Sequence, residues 1–422
     1  MRVAVVGLGY VGLPLCVEFA RGGLDVVGID VNEAKVQAVN QGRSYVLDVS
    51  EESITELVAA KRFQATTDFD ALGSADAICI CVPTPLRKSM DPDISYIVSA
   101  VEEIAPRLKR GMLVVLESTT YPGTTEELVL PRLEETGLSA GVDFYLAFSP
   151  ERVDPANATY TTRNTPKVIG GVTPACTEKA TELYRHAVDT VVPVKSARAA
   201  EMVKLLENTF RAINIGMVNE LAIMCDRLGV DVWEVIDAAK TKPFGFMPFY
   251  PGPGLGGHCI PIDPLYLSWK LKTIDYTARF IELASAINSN MPEYVVSRIH
   301  NALDACKKSI NGSRILLMGV AYKPDVSDTR ESPALDILGL LRQRGADVFY
   351  ADPYVPELEV LGERYISYPL NEGVADFDCV VIVTHHRQFD YAAILQQASL
   401  VFDARNATKG LEPGPGCKVV KL

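Results

Sequence analysis

The chain has 422 residues, enough for two or three domains, and 48% of them are hydrophobic, enough for sizeable cores. A formal net charge of −12 with no cluster of Lys or Arg argues against nucleic acid or a membrane surface as a partner, and leaves room only for a local basic pocket that binds an anionic small molecule. Because no apolar run approaches the ~18 residues of a membrane span, and because nine scattered cysteines are typical of a reducing compartment, we expect a cytoplasmic protein without a membrane segment.

The first predicted unit is a strand, a glycine turn, a helix and a second strand. Residues 2–6 form a valine-rich strand, so the apolar start fits a strand and turn better than a signal peptide. Gly7, Gly9 and Gly12 follow in the spacing G-x-G-x-x-G, with a helix expected to Arg21. In this pattern the first glycine permits the turn, the second lets a pyrophosphate approach the backbone, and the third lets the helix pack on the strand.

Asp30 ends the second predicted strand, 18 residues beyond Gly12, and suits a hydrogen bond to a ribose hydroxyl. Val31 and Asn32 offer no cation for a 2′-phosphate, so NAD is favoured over NADP. The glycine spacing alone is weak evidence, but its strand context and the terminal acid make it strong.

Polar residues follow three further predicted strands at 77–82, 113–117 and 145–148. Thr84, Thr119 and Glu151 lie beyond the carboxyl ends of these strands, where open parallel sheets bind ligands. The threonines fit ligand binding and local turn hydrogen bonds about equally well. Glu151 at the mouth of such a site is a candidate general base.

A long helix is predicted from about Ala197 to Leu228, with Gly229 as its stop. Lys204 and Asn208 lie four residues apart on one face of it and present an ammonium and an amide, either to a substrate or simply to solvent. A second helix is expected over 232–240, and helical sequence resumes at Leu265 toward Ile310 with a break or a fresh helix start at Met291–Pro292.

Cys259 lies in P-G-P-G-L-G-G-H-C-I-P-I-D-P, a run too rich in Gly and Pro for a helix or a central strand. No second cysteine lies nearby to form C-x-x-C, so we predict neither a redox dithiol nor a zinc site here. Elsewhere His385 and His386 follow a predicted strand, but no group with metal-ligand spacing accompanies them, so we predict no metal. A buried structural thiol is the ordinary alternative. Beside a dinucleotide fingerprint, a lone thiol with a carboxylate at Asp263 instead suggests a nucleophile for oxidising an aldehyde to an acid.

A second Rossmann-like unit is predicted after Asn311–Gly312. The strand 314–320, a helix over 334–344 and the strand 347–350 ending at Asp352 repeat the opening order, but the G-x-G-x-x-G is lost. The distance from glycine to acid grows from 23 residues (Gly7 to Asp30) to 33 (Gly319 to Asp352). Cations that follow its strands suit a diphosphate, with surface salt bridges as the alternative. They are Lys323, Arg330 and Arg405.

Over essentially its full length the chain resembles the UDP-glucose/GDP-mannose dehydrogenase family. The motifs that carry the resemblance are G-L-G-Y-V-G-L-P, V-P-T-P, S-T-T-Y-P-G-T-T, S-P-E-R, K-L-L-E-N, G-G-H-C-I-P-I-D, A-Y-K-P-D-V-S-D-T-R-E-S-P and F-D-A-R-N. The cysteine loop is most similar to the branch that oxidises UDP-N-acetylhexosamines, especially UDP-N-acetyl-D-glucosamine. Family members with UDP-glucose as substrate usually have a smaller residue before the cysteine and a lysine before the aspartate, where this chain has His258 and Ile262.

The resemblance implies an α/β fold with two Rossmann-like doubly wound parallel-sheet domains joined by a central helical domain. The boundaries we predict are 1–196 for NAD binding, 197–310 for the helical domain with the cysteine loop, and 311–422 for binding of the UDP moiety. It also implies a homodimer or higher homo-oligomer, a four-electron oxidation of the sugar C6 alcohol with two NAD in turn, and a role in capsule or O-antigen synthesis.

The resemblance also assigns roles to residues. Catalytic positions would be Glu151, Lys204, Asn208, Cys259 and Asp263, of which Glu151, Lys204 and Asn208 also contact the substrate. NAD positions would be Gly7, Gly9, Gly12, Asp30, Thr84, Thr119 and Arg330, and nucleotide-sugar positions Lys323 and Arg405.

Three alternatives stay open. UDP-glucose, UDP-N-acetylgalactosamine or UDP-N-acetylmannosamine are other possible substrates. A two-electron 3-hydroxyacid or 6-phosphogluconate-type dehydrogenase shares the NAD domain and K-x-x-x-N but needs neither Cys259 nor the third domain. A non-catalytic nucleotide-sugar sensor would not need Glu151, Lys204 and Cys259 together.

Overall fold

The computed structural model describes residues 1–46, 48–86, 91–154, 157, 159–257 and 259–422. Two compact units divide the chain. The first comprises residues 1–207 and 265–276, and the second comprises 208–264 and 277–422.

The first unit is built on an eight-stranded sheet with the order β3-β2-β1-β4-β5-β6-β7-β8. Its first six strands in chain order pair in parallel, and β7 joins β6 antiparallel. The strands are β1 Arg2–Val6, β2 Asp25–Ile29, β3 Phe63–Thr66, β4 Ala77–Ile80, β5 Leu113–Leu116, β6 Tyr145–Phe148, β7 Lys167–Gly171 and β8 Val191–Pro193. The helices are α1 Gly12–Arg21, α2 Glu33–Asn40, α3 Glu51–Ala59, α4 Ser95–Ile104, α5 Leu130–Glu134 and α6 Pro174–Tyr184.

Helices cover both faces of this sheet, and alternate residues of a strand therefore lie in two different hydrophobic cores. In β1, Val3 and Val5 join one buried cluster, whereas Ala4 and Val6 join the other. The order 3-2-1-4-5-6 is that of a dinucleotide-binding fold, in which the ligand binds at the switch point between β1 and β4.

Four helices follow: α7 Ala197–Leu228, α8 Val232–Ala239, α9 Asp263–Lys272 and α10 Arg279–Asp304. The predicted break at Pro292 is wrong, since α10 runs through this proline and the helical stretch is instead interrupted between residues 272 and 279. Met291, Val295 and Ile299 on the same helix are fully buried, so tertiary packing outweighs the hydrogen bond that proline removes. Within the described ranges, no helix is both long and apolar enough to cross a bilayer.

The second unit contains a parallel five-stranded sheet with the order β10-β9-β13-β14-β15. Ile315 and Leu317 of β9 join one core, and Leu316 and Met318 join another, so this sheet is also covered on both faces. The remaining strands and helices are β9 Arg314–Met318, α11 Pro333–Gln343, β10 Asp347–Ala351, β11 Glu357–Val360, β12 Glu363–Ile366, β13 Cys379–Ile382, α12 Tyr391–Gln397, β14 Leu400–Asp403 and β15 Lys418–Lys421. The predicted fold class, α/β with two Rossmann-like sheets and a helical region between them in sequence, is confirmed.

Candidate active site

The turn between β1 and α1 is tight because its glycines touch backbone. A Cβ on Gly7, whose φ is 96°, would lie 2.5 Å from the carbonyl oxygen of Cys81, and a Cβ on Gly12 would overlap the carbonyl of Gly7. A Cβ on Gly9 would meet nothing within 4 Å, so the backbone at this position borders open space at the N-terminus of α1. This cradle fits the pyrophosphate of a dinucleotide.

Asp30 is held in place by backbone amides at the end of β2. Its Oδ2 accepts from the N–H of Leu8 at 2.8 Å, and its Oδ1 accepts from the N–H of Asn32 at 2.9 Å. Lys35 donates to Oδ2 at 3.2 Å. Since a carboxylate offers about four lone-pair sites, Asp30 keeps capacity for a ribose hydroxyl, and the residues present fit NAD.

Thr84 and Thr119 follow β4 and β5, as expected. Thr84 is buried, and its carbonyl accepts from the hydroxyl of Tyr266 on α9. Thr119 is half-buried, and the preceding Ser118 donates to the carbonyl of Val82 at 2.8 Å. Both threonines therefore lie at the sheet edge where the glycine turn also lies.

Glu151 belongs to a buried cluster of charges at the same sheet edge. Its Oε1 accepts from the N–H groups of Arg152 and Val153 at 2.7 and 2.8 Å, and its Oε2 lies 3.1 Å from the ammonium of Lys167. Lys167 also donates to Glu117 at 2.6 Å, and the Tyr184 hydroxyl donates to Glu117 as well.

Burial and charge act in opposite directions on these groups. Burial raises the pKa of Glu117, and the Lys167 charge only partly offsets it. For Glu151 burial is again the largest influence, but the Lys167 charge and the two backbone N–H groups together hold its pKa below the ordinary value. The two carboxylates raise the pKa of Lys167 despite its burial. Glu151 is therefore an ionised carboxylate at neutral pH.

Lys204 and Asn208 lie one turn apart on α7, and both are buried. In the second unit, Asn208 donates to Oδ2 of Asp263 at 2.5 Å. Asp263 is the first residue of α9, and its N–H donates to the carbonyl of Cys259 at 2.8 Å. Asn208, Asp263 and the Cys259 loop are thus connected, and the Cys259 side chain is exposed. His258, the residue before the cysteine that distinguishes this chain from family members with UDP-glucose as substrate, lies outside the described residues.

The structure describes all nine cysteines, and none of them forms a disulfide. Cys259 and Cys306 are exposed, and six others are buried. Burial raises the pKa of the thiols Cys16, Cys79 and Cys81. The cysteine on the glycine-rich loop is therefore accessible in a chain whose thiols are mostly buried.

The three cations predicted for the second unit lie beyond strands of its sheet. Arg405 follows β14, is partly buried and donates to the carbonyl of Val383 at 3.0 Å; burial lowers its pKa to about 10, so it remains charged at neutral pH. The Arg330 guanidinium donates to the Asp328 carboxylate. The backbone carbonyl of Arg330 accepts from the N–H of Gly257 in the cysteine loop at 3.0 Å. The Lys323 ammonium lies 6.0 Å from the ring centre of Tyr322.

Sequence reasoning missed three charged residues. Lys167 opens the apolar strand K-V-I-G-G, and Glu117 ends L-V-V-L-E; a charge beside a buried strand was the signal that could have identified both. Lys35 lies five residues beyond Asp30 in the first turn of α2, and a helix beginning at Glu33 places it near the carboxylate.

Comparisons with known proteins agree with this geometry. Three models of the UDP-glucose/GDP-mannose dehydrogenase family match the chain: the NAD binding domain at residues 1–188, the central domain at 198–290 and the UDP binding domain at 316–410. A Rossmann fold with a dinucleotide cradle and an exposed cysteine on a glycine-rich loop defines an NAD-dependent oxidoreductase. The chain belongs to the UDP-glucose/GDP-mannose dehydrogenase family, and is a nucleotide-sugar dehydrogenase with NAD as its cofactor.

Individual relatives carry different sugar names. The chain is 37% identical to UDP-N-acetyl-D-glucosamine 6-dehydrogenase of Pseudomonas aeruginosa, over 92% of this chain and 91% of the relative. It is 36% identical to NDP-N-acetyl-D-galactosaminuronic acid dehydrogenase of Ralstonia nicotianae, over 92% and 91% of the two chains. The solved structure of a UDP-D-ManNAc dehydrogenase from Pyrococcus horikoshii superposes with a TM-score of 0.91 at 35% identity, covering 100% of this chain and 99% of that one.

Proposed function

We propose that the protein oxidises the C6 hydroxyl of a UDP-N-acetylhexosamine, with UDP-N-acetyl-D-glucosamine as the preferred substrate, to the uronic acid. The observation that carries the proposal is the connection of Asn208, Asp263 and the exposed Cys259 loop in a chain with an NAD-binding domain. The complete reaction removes four electrons from the sugar. NAD, when bound, supplies the acceptor for a hydride in each of two successive oxidations.

In the first oxidation the C6 hydroxyl loses its proton as its carbon loses a hydride. The proton acceptor is Lys204 or a water held by Asp263. Free lysine titrates near ~10.4, so Lys204 serves as a base only if its charged form is disfavoured; as a cation it stabilises oxyanions beside the Asn208 amide.

The second oxidation needs Cys259. Its thiolate adds to the aldehyde to give a thiohemiacetal, which loses a second hydride to become a thioester. A free thiol titrates near ~8.5, and a cation beside a thiol increases its thiolate fraction, which is the role we propose for the Lys204 charge. Water then attacks the thioester, Glu151 accepts a proton from it, the C–S bond breaks and the acid leaves.

We assign the contacts to the UDP moiety to Lys323 and Arg405. We assign the contacts to NAD to Gly7, Gly9, Gly12, Asp30, Thr84, Thr119 and Arg330. Arg405 supports the assignment because it stays charged while partly buried at a strand end. The three segments 1–196, 197–310 and 311–422 are proposed to bind NAD, to carry the cysteine loop and to bind UDP, respectively.

UDP-N-acetyl-D-mannosamine is the second candidate substrate, favoured by the match of the Pyrococcus horikoshii structure along the entire chain. An NADH absorbance assay with UDP-linked GlcNAc, ManNAc, GalNAc and glucose separates the candidates. We expect the highest kcat/KM with UDP-N-acetyl-D-glucosamine and two NADH per sugar. One NADH per sugar with free aldehyde as the product would contradict the thioester route.

Two substitutions test the covalent step. Cys259→Ser should slow acid release drastically while the fold, followed by circular dichroism, survives, because a hydroxyl is a far weaker nucleophile than a thiolate. Glu151→Gln should accumulate a covalent adduct on Cys259, visible by intact mass spectrometry. Normal turnover of Glu151→Gln without an adduct would remove Glu151 from its role.

We also propose a cytoplasmic homodimer that associates through the central helices. Large apolar side chains of the second unit are exposed on α7 and in the loop after α8, namely Met217, Met224, Leu228, Phe244 and Met247. Large exposed apolar side chains of this kind are typical of subunit interfaces. Light scattering of the purified protein tests the assembly, and a monomer at micromolar concentration would contradict it.

A further inference from the structure

Lys167 lies between two carboxylates in the first unit. Its ammonium is 2.6 Å from Glu117 Oε2 and 3.1 Å from Glu151 Oε2. The side chains of Lys167 and Glu117 are 4% and 0% exposed, whereas that of Glu151 is 15% exposed. One carboxylate of the cluster is thus accessible, and the other two members lie behind it.

Stability alone does not account for this cluster. A buried ion pair is weak evidence for stability, because apolar residues of similar volume are often as good or better. Glu117 already neutralises Lys167, so the contact with Glu151 adds a second negative charge to the cluster. Its effect on Glu151 is specific: Lys167 holds one oxygen, and the N–H groups of Arg152 and Val153 hold the other.

We propose that Lys167 is a positioning residue that fixes the orientation of the Glu151 carboxylate for thioester hydrolysis, and that Glu117 anchors the lysine from behind. This inference rests on the proposed function, in which Glu151 accepts the proton of the attacking water. An oriented base accelerates such a step because the attacking water must be held in one geometry.

The cluster also predicts the direction of a pH effect. The other titratable groups near Glu117 and Lys167 are Tyr184, Cys79 and Cys81, and burial raises the pKa of all three, so they are neutral at pH 7. Lys167 is therefore the cation in this set. Burial acts to raise the pKa of Glu151 and the Lys167 charge lowers it, so removing the lysine should raise that pKa. The acidic limb of the hydrolysis rate should then move to higher pH.

The test compares Lys167→Met and Lys167→Arg with the wild-type holoenzyme in single-turnover reactions with UDP-N-acetyl-D-glucosamine. We expect the Met variant to slow thioester hydrolysis by at least about tenfold, which is less than the ~10²–10⁴-fold that general-base catalysis contributes because Glu151 itself is retained, and to accumulate the adduct on Cys259. Its acidic limb should lie at higher pH than that of wild type, and the Arg variant should restore the wild-type position. Lys179→Met on the exposed side of α6, where the lysine pairs with Glu182, is the matched control and should match wild type.

Folding is controlled by a second variant. Lys167→Met leaves Glu117 buried without its cation, whereas Glu117→Gln with Lys167→Met removes both charges and should fold. The double variant should show the same displaced acidic limb. An acidic limb and a hydrolysis rate equal to wild type in the double variant would overturn the proposal.

Failure of this inference is distinguishable from failure of the proposed function. Normal turnover of Glu151→Gln would refute the role of Glu151 itself. An adduct trapped in Glu151→Gln, together with unchanged pH profiles in both Lys167→Met variants, would refute only the positioning role of Lys167.

Discussion

The two Rossmann-like sheets repeat the same backbone hydrogen bonds, which we call the shared frame, but different side chains contact the acids at their strand ends. Gly7 donates to the carbonyl of Ile29 at 2.7 Å, and Gly319 donates to that of Ala351 at 2.9 Å. The repeat extends to the acids: Leu8 donates to Asp30 and Val320 to Asp352, each at 2.8 Å. It extends to the strand starts as well, where the backbone N–H of Arg2 donates to the Asp76 carboxylate and that of Arg314 to the Asp378 carboxylate, again each at 2.8 Å.

The difference lies in what reaches the acid from the side. In both acids Oδ1 accepts from the backbone N–H two residues further along the chain. Only Asp352 has a histidine beside it: its Oδ2 lies 3.0 Å from Nε2 of His386, which is fully buried. Because Nδ1 of His386 accepts from the N–H of Asp325 at 2.9 Å, Nε2 carries the proton that is donated to Asp352. The imidazole therefore fills the place beside Asp352, while the corresponding carboxylate, Asp30, has Lys35 from the following helix α2 and no imidazole among its described partners. Two sheets with the same backbone hydrogen bonds can thus bind different ligands, because the loops that follow their strands differ.

The largest expected effect tests the shared frame. Gly7→Ala and Gly319→Ala should each destabilise the fold by about 2–4 kcal/mol, because both positions have positive φ and a Cβ would overlap Cys81 or Thr384 in the neighbouring strand end. Urea unfolding measures both. Gly23→Ala, at positive φ but with nothing within 4 Å of the new Cβ, is the control and should cost less. A large loss for one glycine and none for the other would break the equivalence of the two sheets.

The next effect separates the two acids. Asp352→Asn should cost about 1–3 kcal/mol of unfolding free energy at pH 7, since it weakens a buried set of hydrogen bonds. Burial acts to raise the pKa of Asp352, but the His386 bond and the backbone N–H groups leave it lower than usual. Its contribution is therefore present above the unfolded value near ~3.9 and is lost as pH falls through the lower folded pKa. Unfolding free energy measured against pH should show the variant converging on wild type in acid; a constant difference would contradict this.

The smallest effect concerns cofactor recognition. Asp30→Asn should weaken NAD binding by about tenfold, which is about 1.4 kcal/mol, because a ribose hydroxyl loses a charged acceptor. Calorimetric titration with NAD measures the change. Asp352→Asn is the matched control in the other sheet and should leave NAD affinity unchanged. Equal losses in both variants would show that Asp30 has no special part in binding the cofactor.

Much of the fold could be predicted because apolar runs and glycines mark the strands. The predicted strands 2–6 and 145–148 and the helix 197–228 coincide with β1, β6 and α7. Pro292 misled the prediction because residues far along the chain pack on α10 and stabilise it locally. The hairpin of β11 and β12 had too weak an apolar pattern to be identified, since its strands are mostly exposed.

The candidate site could be predicted where a motif holds the residues close in sequence, as with Gly7 to Gly12 and Cys259 to Asp263. The contact of Lys167 with Glu151 joins the start of β7 to the segment after β6, and only the antiparallel pairing of these two strands brings the residues together. The roles of the site residues remain predictions, because they depend on substrates that the sequence pattern does not place.

The contrast between exposed and buried thiols has a practical consequence. At neutral pH a maleimide or iodoacetamide reagent reacts with accessible thiolates, and the raised pKa of Cys16, Cys79 and Cys81 protects them further. Cys306→Ser would then leave Cys259 as the main reporter among the exposed cysteines. A fluorophore attached there could follow ligand entry in real time without engineering a labelling position into the molecule.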